Sequence, residues 1–262
     1  MGEDDGFGPL PGFAEAPAHF ESASQIARVI TEPWVRHHLY CPNCGEAAFQ
    51  PFANNRPVAD LYCANCREEF ELKSQKARFG AKIVDGAYRT MRERITARNN
   101  PNLMLMNYDR EGGPIDVMVV PKHFFVPEII EERKPLAATA RRAGWVGCNI
   151  LIGQVPEAGR ISLVRARRLL PKAEVLETWR RTLFLRETAI EARGWLVEVM
   201  KAVEAIGRPE FTLADVYAAE AALQARFPGN NNVRPKIRQQ LQVLRDRGFL
   251  KFVGRGRYRL RQ

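Results

Sequence analysis

The sequence has no run of about 18 apolar residues, so no membrane-spanning helix is expected. It also lacks the basic start and apolar stretch of a secretory leader. Residues 1–17 are instead rich in glycine and proline and carry Glu3, Asp4, Asp5 and Glu15, which predicts a disordered acidic tail over residues 1–21. Cysteine is scarce, at five in 262 residues, and with no sign of secretion the expected compartment is the cytoplasm. Acid is nearly missing from one end. Between Pro228 and Gln262 a single acidic residue, Asp246, stands against ten basic ones, whereas the other 227 residues hold 30 basic and 29 acidic side chains. The net charge of +10 is therefore concentrated, as in a protein that grips a phosphate backbone, and not spread as on a solvated surface of mixed sign. Apolar residues make up 45%, enough for a packed core in one large domain or two.

Four of the five cysteines fall as Cys41-Pro42-Asn43-Cys44 and Cys63-Ala64-Asn65-Cys66, with 18 residues between the pairs. Each C-x-x-C turn lets two thiolates converge on one ion, and two such turns complete a tetrahedral site. The expectation is structural Zn²⁺ held by Cys41, Cys44, Cys63 and Cys66; the alternative is two disulfides. Four sulfurs leave no open position for water, so this zinc is not expected to be catalytic. Cys148 reads as a small buried residue.

The second cysteine pair is flanked by two short strand-like segments, Pro57 to Tyr62 and Glu68 to Lys73, which predicts a hairpin with the pair at its turn. Two-residue alternation sends Glu71 and Lys73 to one face and Phe70 and Leu72 to the other, while Asp60 sits on the partner strand. The pattern P-x-x-D, ten residues, E-x-K matches that of PD-(D/E)xK nucleases. Two hard carboxylates, Asp60 and Glu71, suit Mg²⁺, and Lys73 can orient a water or bear charge that develops on a phosphoryl group. The competing reading is a solvated, charged hairpin.

Helical spacing runs from Asp85 through Ala87, Met91 and Ile95, and Asn99-Asn100-Pro101 ends it. Leu103 to Tyr108 and Ile115 to Val120 read as strands. Arg141 and Arg142 precede Trp145, which sits between Gly144 and Gly147; the tryptophan is either a core residue or one that stacks on DNA. Beyond a join at Phe184 to Glu191 come three helices: one from about Ala192, one opened by Thr212-Leu213-Ala214-Asp215, and one with Pro235 at its first position. In the third, Ile237, Leu241 and Leu244 face inward, leaving Arg238, Gln239, Gln242 and Arg245 largely outside. A hairpin turning at Gly254-Arg255-Gly256 and carrying Arg257 completes a winged helix. Its third helix is expected in the major groove, where Arg pairs with guanine and Gln with adenine, and its wing arginines on phosphate or in the minor groove. Other winged helices bind proteins, a reading that the basic charge disfavours.

The segments Asn54–Asp60, Phe70–Ser74, Ala140–Trp145 and Ile237–Asp246 closely resemble the DpnI-type, methyl-directed restriction endonucleases, in the same order from about Ser22 to Leu260. The chain departs from them in its longer acidic tail and at Ser74-Gln75-Lys76. The resemblance implies an α/β PD-(D/E)xK core with a four-cysteine zinc site over residues 22–187 and a C-terminal winged helix over 188–262, both reading methylated DNA. It also implies a monomeric Type II enzyme that makes a blunt, Mg²⁺-dependent cut in double-stranded GATC only when the adenine carries an N6-methyl group. Asp60, Glu71 and Lys73 become the catalytic set, and Trp145 falls in a loop that approaches DNA. Two alternatives stand beside this: a non-catalytic zinc and winged-helix regulator, and a nuclease of the same fold that acts on other modified or damaged DNA.

Overall fold

The computed structural model describes residues 10–16, 19, 22–52, 59–97 and 100–261. Pro57 and Val58 of the P-x-x-D pattern, the preceding Asn54–Arg56, Asn99 and most of the expected tail lie outside the described residues. In chain order the elements are α1 (Ala23–His38), β1 (Phe49–Pro51), β2 (Leu61–Cys63), β3 (Glu69–Gln75), β4 (Ile83–Ala87), α2 (Tyr88–Thr96), β5 (Asn102–Asp109) and β6 (Gly113–Val120). There follow β7 (Ile130–Glu132), β8 (Gly147–Ile150), β9 (Ile161–Arg165), β10 (Arg168–Leu169) and α3 (Lys172–Arg180). The chain ends with α4 (Ile190–Ala205), β11 (Glu210–Thr212), α5 (Leu213–Tyr217), α6 (Glu220–Arg226), α7 (Val233–Asp246), β12 (Leu250–Gly254) and β13 (Arg257–Leu260). These elements group into two compact units, one of residues 1–80, 97–122 and 159–180, the other of 81–96, 123–158 and 181–262.

The first unit is built on a seven-stranded sheet of order β1-β2-β3-β5-β6-β9-β10, in which only β3 and β5 run parallel. Leu103, Met104, Leu105 and Met106 of β5 are each at most 2% exposed, so this central strand is covered on both faces. Two-sided burial is why its sequence is a continuous apolar run with no alternation. Helix α1 packs over β1 and β3, burying Ile30, Trp34 and Val35, and Ser22 closes its start by accepting the Gln25 N–H. Helix α3 lies against β9 and buries Val175 and Trp179.

Part of the segment expected to be tail is packed on this unit. The Trp34 indole N–H donates to the Pro11 carbonyl at 2.9 Å, and the Phe13 ring meets Trp34 and Tyr108 edge-on at 6.4 and 5.3 Å. Two aromatic pairs at ~0.5–1.5 kcal/mol each, plus burial, offset the ordering of a short stretch that composition alone reads as loose.

The second unit contains a small antiparallel sheet, β4-β8-β7, with α2 packed on it. Here the expected helix start at Asp85 is corrected. Residues Ile83–Ala87 pair with β8, and the helix begins at Tyr88. Ladder bonds to β8 override the local spacing, although Met91 and Ile95 face inward as that spacing required.

The rest of this unit runs helix α4, strand β11, helices α5 to α7 and strands β12 and β13, with sheet order β11-β13-β12, the connectivity of a winged helix. The Thr212 signature forms a reciprocal capping box with Asp215, but the helix it opens breaks after Tyr217 into α5 and α6. Pro235 is the third residue of α7, not the first; still in the first turn, its missing N–H costs no helical bond. Ile237, Leu241 and Leu244 are fully buried.

Candidate active site and metal centre

The two cysteine pairs are built alike. In the first, the Gly45 N–H donates to the Cys41 carbonyl and the Cys41 N–H to that of Glu46; in the second, Arg67 donates to Cys63 and Cys63 to Glu68. The residue after each second cysteine is left-handed, Gly45 at φ 81° and Arg67 at φ 62°. At Gly45 the left-handed backbone is what favours glycine, and a Cβ there would also displace the Lys172 side chain, whose Cε would lie 2.7 Å away. The turns bring Cys41 Sγ within 3.6 Å of Cys66 Sγ, and Cys44 Sγ within 3.6 Å of Cys63 Sγ. All four sulfurs lie within 4.8 Å of one another and none is in a disulfide. A tetrahedral zinc with ~2.3 Å bonds separates its sulfurs by about 3.8 Å, so the cluster fits structural Zn²⁺. Burial pushes the Cys41 thiol up and that of Cys63 up to about 11, so a cation is what would hold these sulfurs as thiolates.

The second cysteine turn joins β2 to β3. Their pairing is short, Leu61 with Phe70 and Tyr62 with Glu69. Beyond it β2 no longer reaches β3, and the Asp60 carboxylate takes over: its Oδ2 accepts the Leu72 N–H at 2.8 Å, while the Asp60 N–H donates to the Phe70 carbonyl at 2.9 Å. That bond fixes Asp60 at the backbone between Glu71 and Lys73. Those two side chains share a face, with Lys73 Nζ 2.8 Å from Glu71 Oε1 and each about three-quarters buried. The structure thus brings together the three residues singled out by spacing.

A further acid in this neighbourhood was not legible in the sequence. Glu32 of α1 is held above the ordinary carboxylate range, first by burial and, despite its 2.6 Å ion pair with Arg28, also by the charge of Asp60. Neither helical spacing nor the motif marks it; only the packing of α1 against β3, with Thr31 Oγ1 at 3.3 Å from Ser74 Oγ, brings it near.

In the second unit, Arg141 and Arg142 are exposed on the loop before β8. Trp145 is half-buried: the Arg142 guanidinium lies 4.6 Å over its ring, and the ring lies so close to Gly147 that a Cβ there would be 2.8 Å away. On α7, Arg238, Gln239, Gln242 and Arg245 are all exposed. Arg238 donates to the Tyr217 hydroxyl at 2.8 Å, and Arg245 to its neighbour Asp246. Arg255 and Arg257 are exposed on the wing. Strand β11 was not legible in the sequence; its Glu210 pairs with Arg259 and lies 3.6 Å from Arg257. Arg259 holds the Glu210 carboxyl below its ordinary range, so the wing is less positive than a count of its arginines suggests.

Residues 14–188 match the DpnI or Dam-replacing family, and residues 191–260 match the Dam-replacing HTH domain. The chain belongs to the Dam-replacing family. Membership implies a methylation-dependent restriction endonuclease, a DNA-binding hydrolase of the DpnI type. Within the family assignment, the four-cysteine cluster and the carboxylate hairpin fall in the first matched segment and α7 with its wing in the second. Among the described residues no helix is long and apolar enough to cross a membrane.

Proposed function

We propose that this protein is a monomeric Type II restriction endonuclease that cuts double-stranded GATC, blunt-ended and with Mg²⁺, when its adenine carries an N6-methyl group. The observation that carries the chemistry is the bond from Leu72 N–H to Asp60 Oδ2, which sets that carboxylate beside Glu71 and Lys73. On this reading the three residues form a PD-(D/E)xK core. Glu71 stands on β3, and Asp60, which precedes β2 instead of lying on a strand as expected, is fixed by its bond to Leu72; both offer only oxygen donors, the donor set that Mg²⁺ prefers. When bound, the ion polarises the scissile phosphate and acidifies a water. Asp60 and Glu71 would hold it, and Lys73, oriented by its ion pair with Glu71, would position the water or bear charge on the phosphoryl oxygens. The zinc cluster at the hairpin turn braces both carboxylates without taking part in hydrolysis.

DNA reading belongs to both parts of the chain. Arg238, Gln239, Gln242 and Arg245 face the major groove, Arg255 and Arg257 the backbone, and Arg141, Arg142 and Trp145 approach the target from the loop before β8. Trp145, half-buried with the Arg142 guanidinium over one face of its ring, offers the methyl the apolar surface that remains. The check is plasmid cleavage with Mg²⁺ by the wild type and by Glu71→Gln. The wild type is expected to cut and the variant to fail; equal cutting by both would rule out this active site.

A further inference from the structure

Glu71, Lys73 and Gln75 alternate onto one face of β3. The parallel register of Lys73 with Leu105 and of Gln75 with Asn107 carries that face onto β5, and the pairings of Leu105 with Met118 and Met118 with Ser162 carry it across β6 to β9. A cleft of about 370 Å³ opens there, floored by Leu105, Met118 and Val164 and flanked by Arg78 and Arg165.

The backbone that carries each arginine is fixed. The Gln75 side-chain amide donates to the carbonyls of Ala77 and Arg78 at 3.0 and 3.1 Å, which keeps the segment after β3 on this face. Arg165 ends β9 at a turn whose next residues, Ala166 and Arg167, are left-handed at φ 48° and 65°. Side chains other than glycine keep that conformation only where their surroundings impose it. Here Asp116 Oδ1 accepts the Ala166 N–H at 2.8 Å, and Arg167 pairs with Asp109 at 3.2 Å and donates to the Gly112 carbonyl. Among the described residues no carboxylate lies within 4.0 Å of Arg78 or Arg165. Two guanidinium groups outside ion-pair distance of any described carboxylate, in a cleft where Met118 is apolar and Asp116 already accepts the Ala166 N–H, stand on the face that bears Glu71 and Lys73 and suit a ligand with alternating anionic and apolar parts.

A DNA strand has that alternation. We infer that this cleft is a substrate-strand subsite, in which Arg78 and Arg165 take phosphates flanking the cut while deoxyribose lies on Met118, the partly exposed residue of the floor. The inference rests on the nuclease reading and extends it to residues that no motif marks.

The test is equilibrium binding of a fluorescent methylated GATC duplex without Mg²⁺, measured over a range of salt for wild type, Arg78→Ala, Arg165→Ala and the control Arg180→Ala, an exposed arginine paired with Glu177. Each cleft substitution is expected to weaken binding about five- to twenty-fold and to lower the slope of log affinity against log salt by about one. The control changes neither. Duplexes with one neutral methylphosphonate then locate the contact: the modification that weakens the wild type should cost nothing further in Arg165→Ala. Wild-type affinity and slope in both cleft variants, or full additivity of every methylphosphonate with Arg165→Ala, would overturn the subsite. Cleavage is scored separately. A wild type that binds but never cuts in Mg²⁺ removes the nuclease reading, and the binding cycle still decides the cleft.

Discussion

The carboxylate of Asp60 binds the backbone N–H of Leu72 at 2.8 Å, at the point where β2 stops pairing with β3. A side chain there does what a backbone carbonyl does elsewhere in a sheet. In doing so it fixes an acid next to Glu71 and Lys73, three-quarters buried on the neighbouring positions. Replacing the carboxylate by an amide keeps an oxygen acceptor for Leu72 but removes the charge. Asp60→Asn is therefore expected to leave the fold and DNA affinity close to wild type while lowering single-turnover cleavage by about 10²-fold or more, and Lys73→Ala to do likewise. Single-turnover rates beside binding curves check this; a loss confined to binding would contradict it.

The zinc prediction concerns folding more than chemistry. One zinc per chain is expected by metal analysis. Cys41→Ser, at a position with no exposed surface, should abolish that stoichiometry and destabilise the first unit by ~3 kcal/mol or more. Thermal unfolding with and without a chelator reads the effect. An unchanged midpoint after complete removal of zinc would show that the cluster braces nothing.

The basic end of the chain invites truncation at residue 188, but the second compact unit includes residues 81–96 and 123–158 as well as the C-terminal elements. Removing one part would uncover the core of the other. Substitution is cleaner: Arg255→Ala with Arg257→Ala, both exposed on the wing, should reduce affinity and flatten its salt dependence by about one unit of slope for each phosphate no longer neutralised. A salt slope identical to wild type would remove the wing from the backbone-contacting surface.

Glu128 gives a prediction about pH. Its carboxyl lies against α4, so close that a Cβ on Gly194 would be 2.9 Å from Oε2, and burial, followed by the charge of Glu198, raises it above the usual 4.5 despite Arg226 and Arg92 nearby. The folded protein therefore holds this proton more tightly than the unfolded chain does. The contribution is fully present below about 4.5 and is lost as pH rises through the folded value. Glu128→Gln should remove that decline, so its melting temperature should gain on the wild type as pH rises from 4 to 7. Parallel melting curves would disprove the linkage.

Trp145→Ala removes the apolar face braced by Arg142. If that face meets the methyl group, the substitution lowers the preference for methylated over unmethylated duplex about tenfold. Equal preference in variant and wild type would move methyl sensing elsewhere.

Much of the site was legible because short-range geometry dictates it. The C-x-x-C turns fix where thiolates point, the two-residue period fixes that Glu71 and Lys73 share a face, and the Thr212–Asp215 capping box follows from a four-residue signature. Features that depend on distant partners were not. Ile83–Ala87 is a strand because β8 pairs with it from more than 60 residues away, against a helical spacing that is locally valid. Glu210 neutralises wing arginines only through the pairing of β11 with β13, and Phe13 is ordered by Trp34 and Tyr108. Glu32 reaches the neighbourhood of Asp60 only through the packing of α1.

The most direct test compares one plasmid prepared from an adenine-methylating host with the same plasmid from a non-methylating host, each treated with the wild-type protein and Mg²⁺. The account predicts blunt cleavage at GATC in the methylated plasmid and an intact unmethylated one. Equal cutting of the two, or cutting of neither, would contradict it.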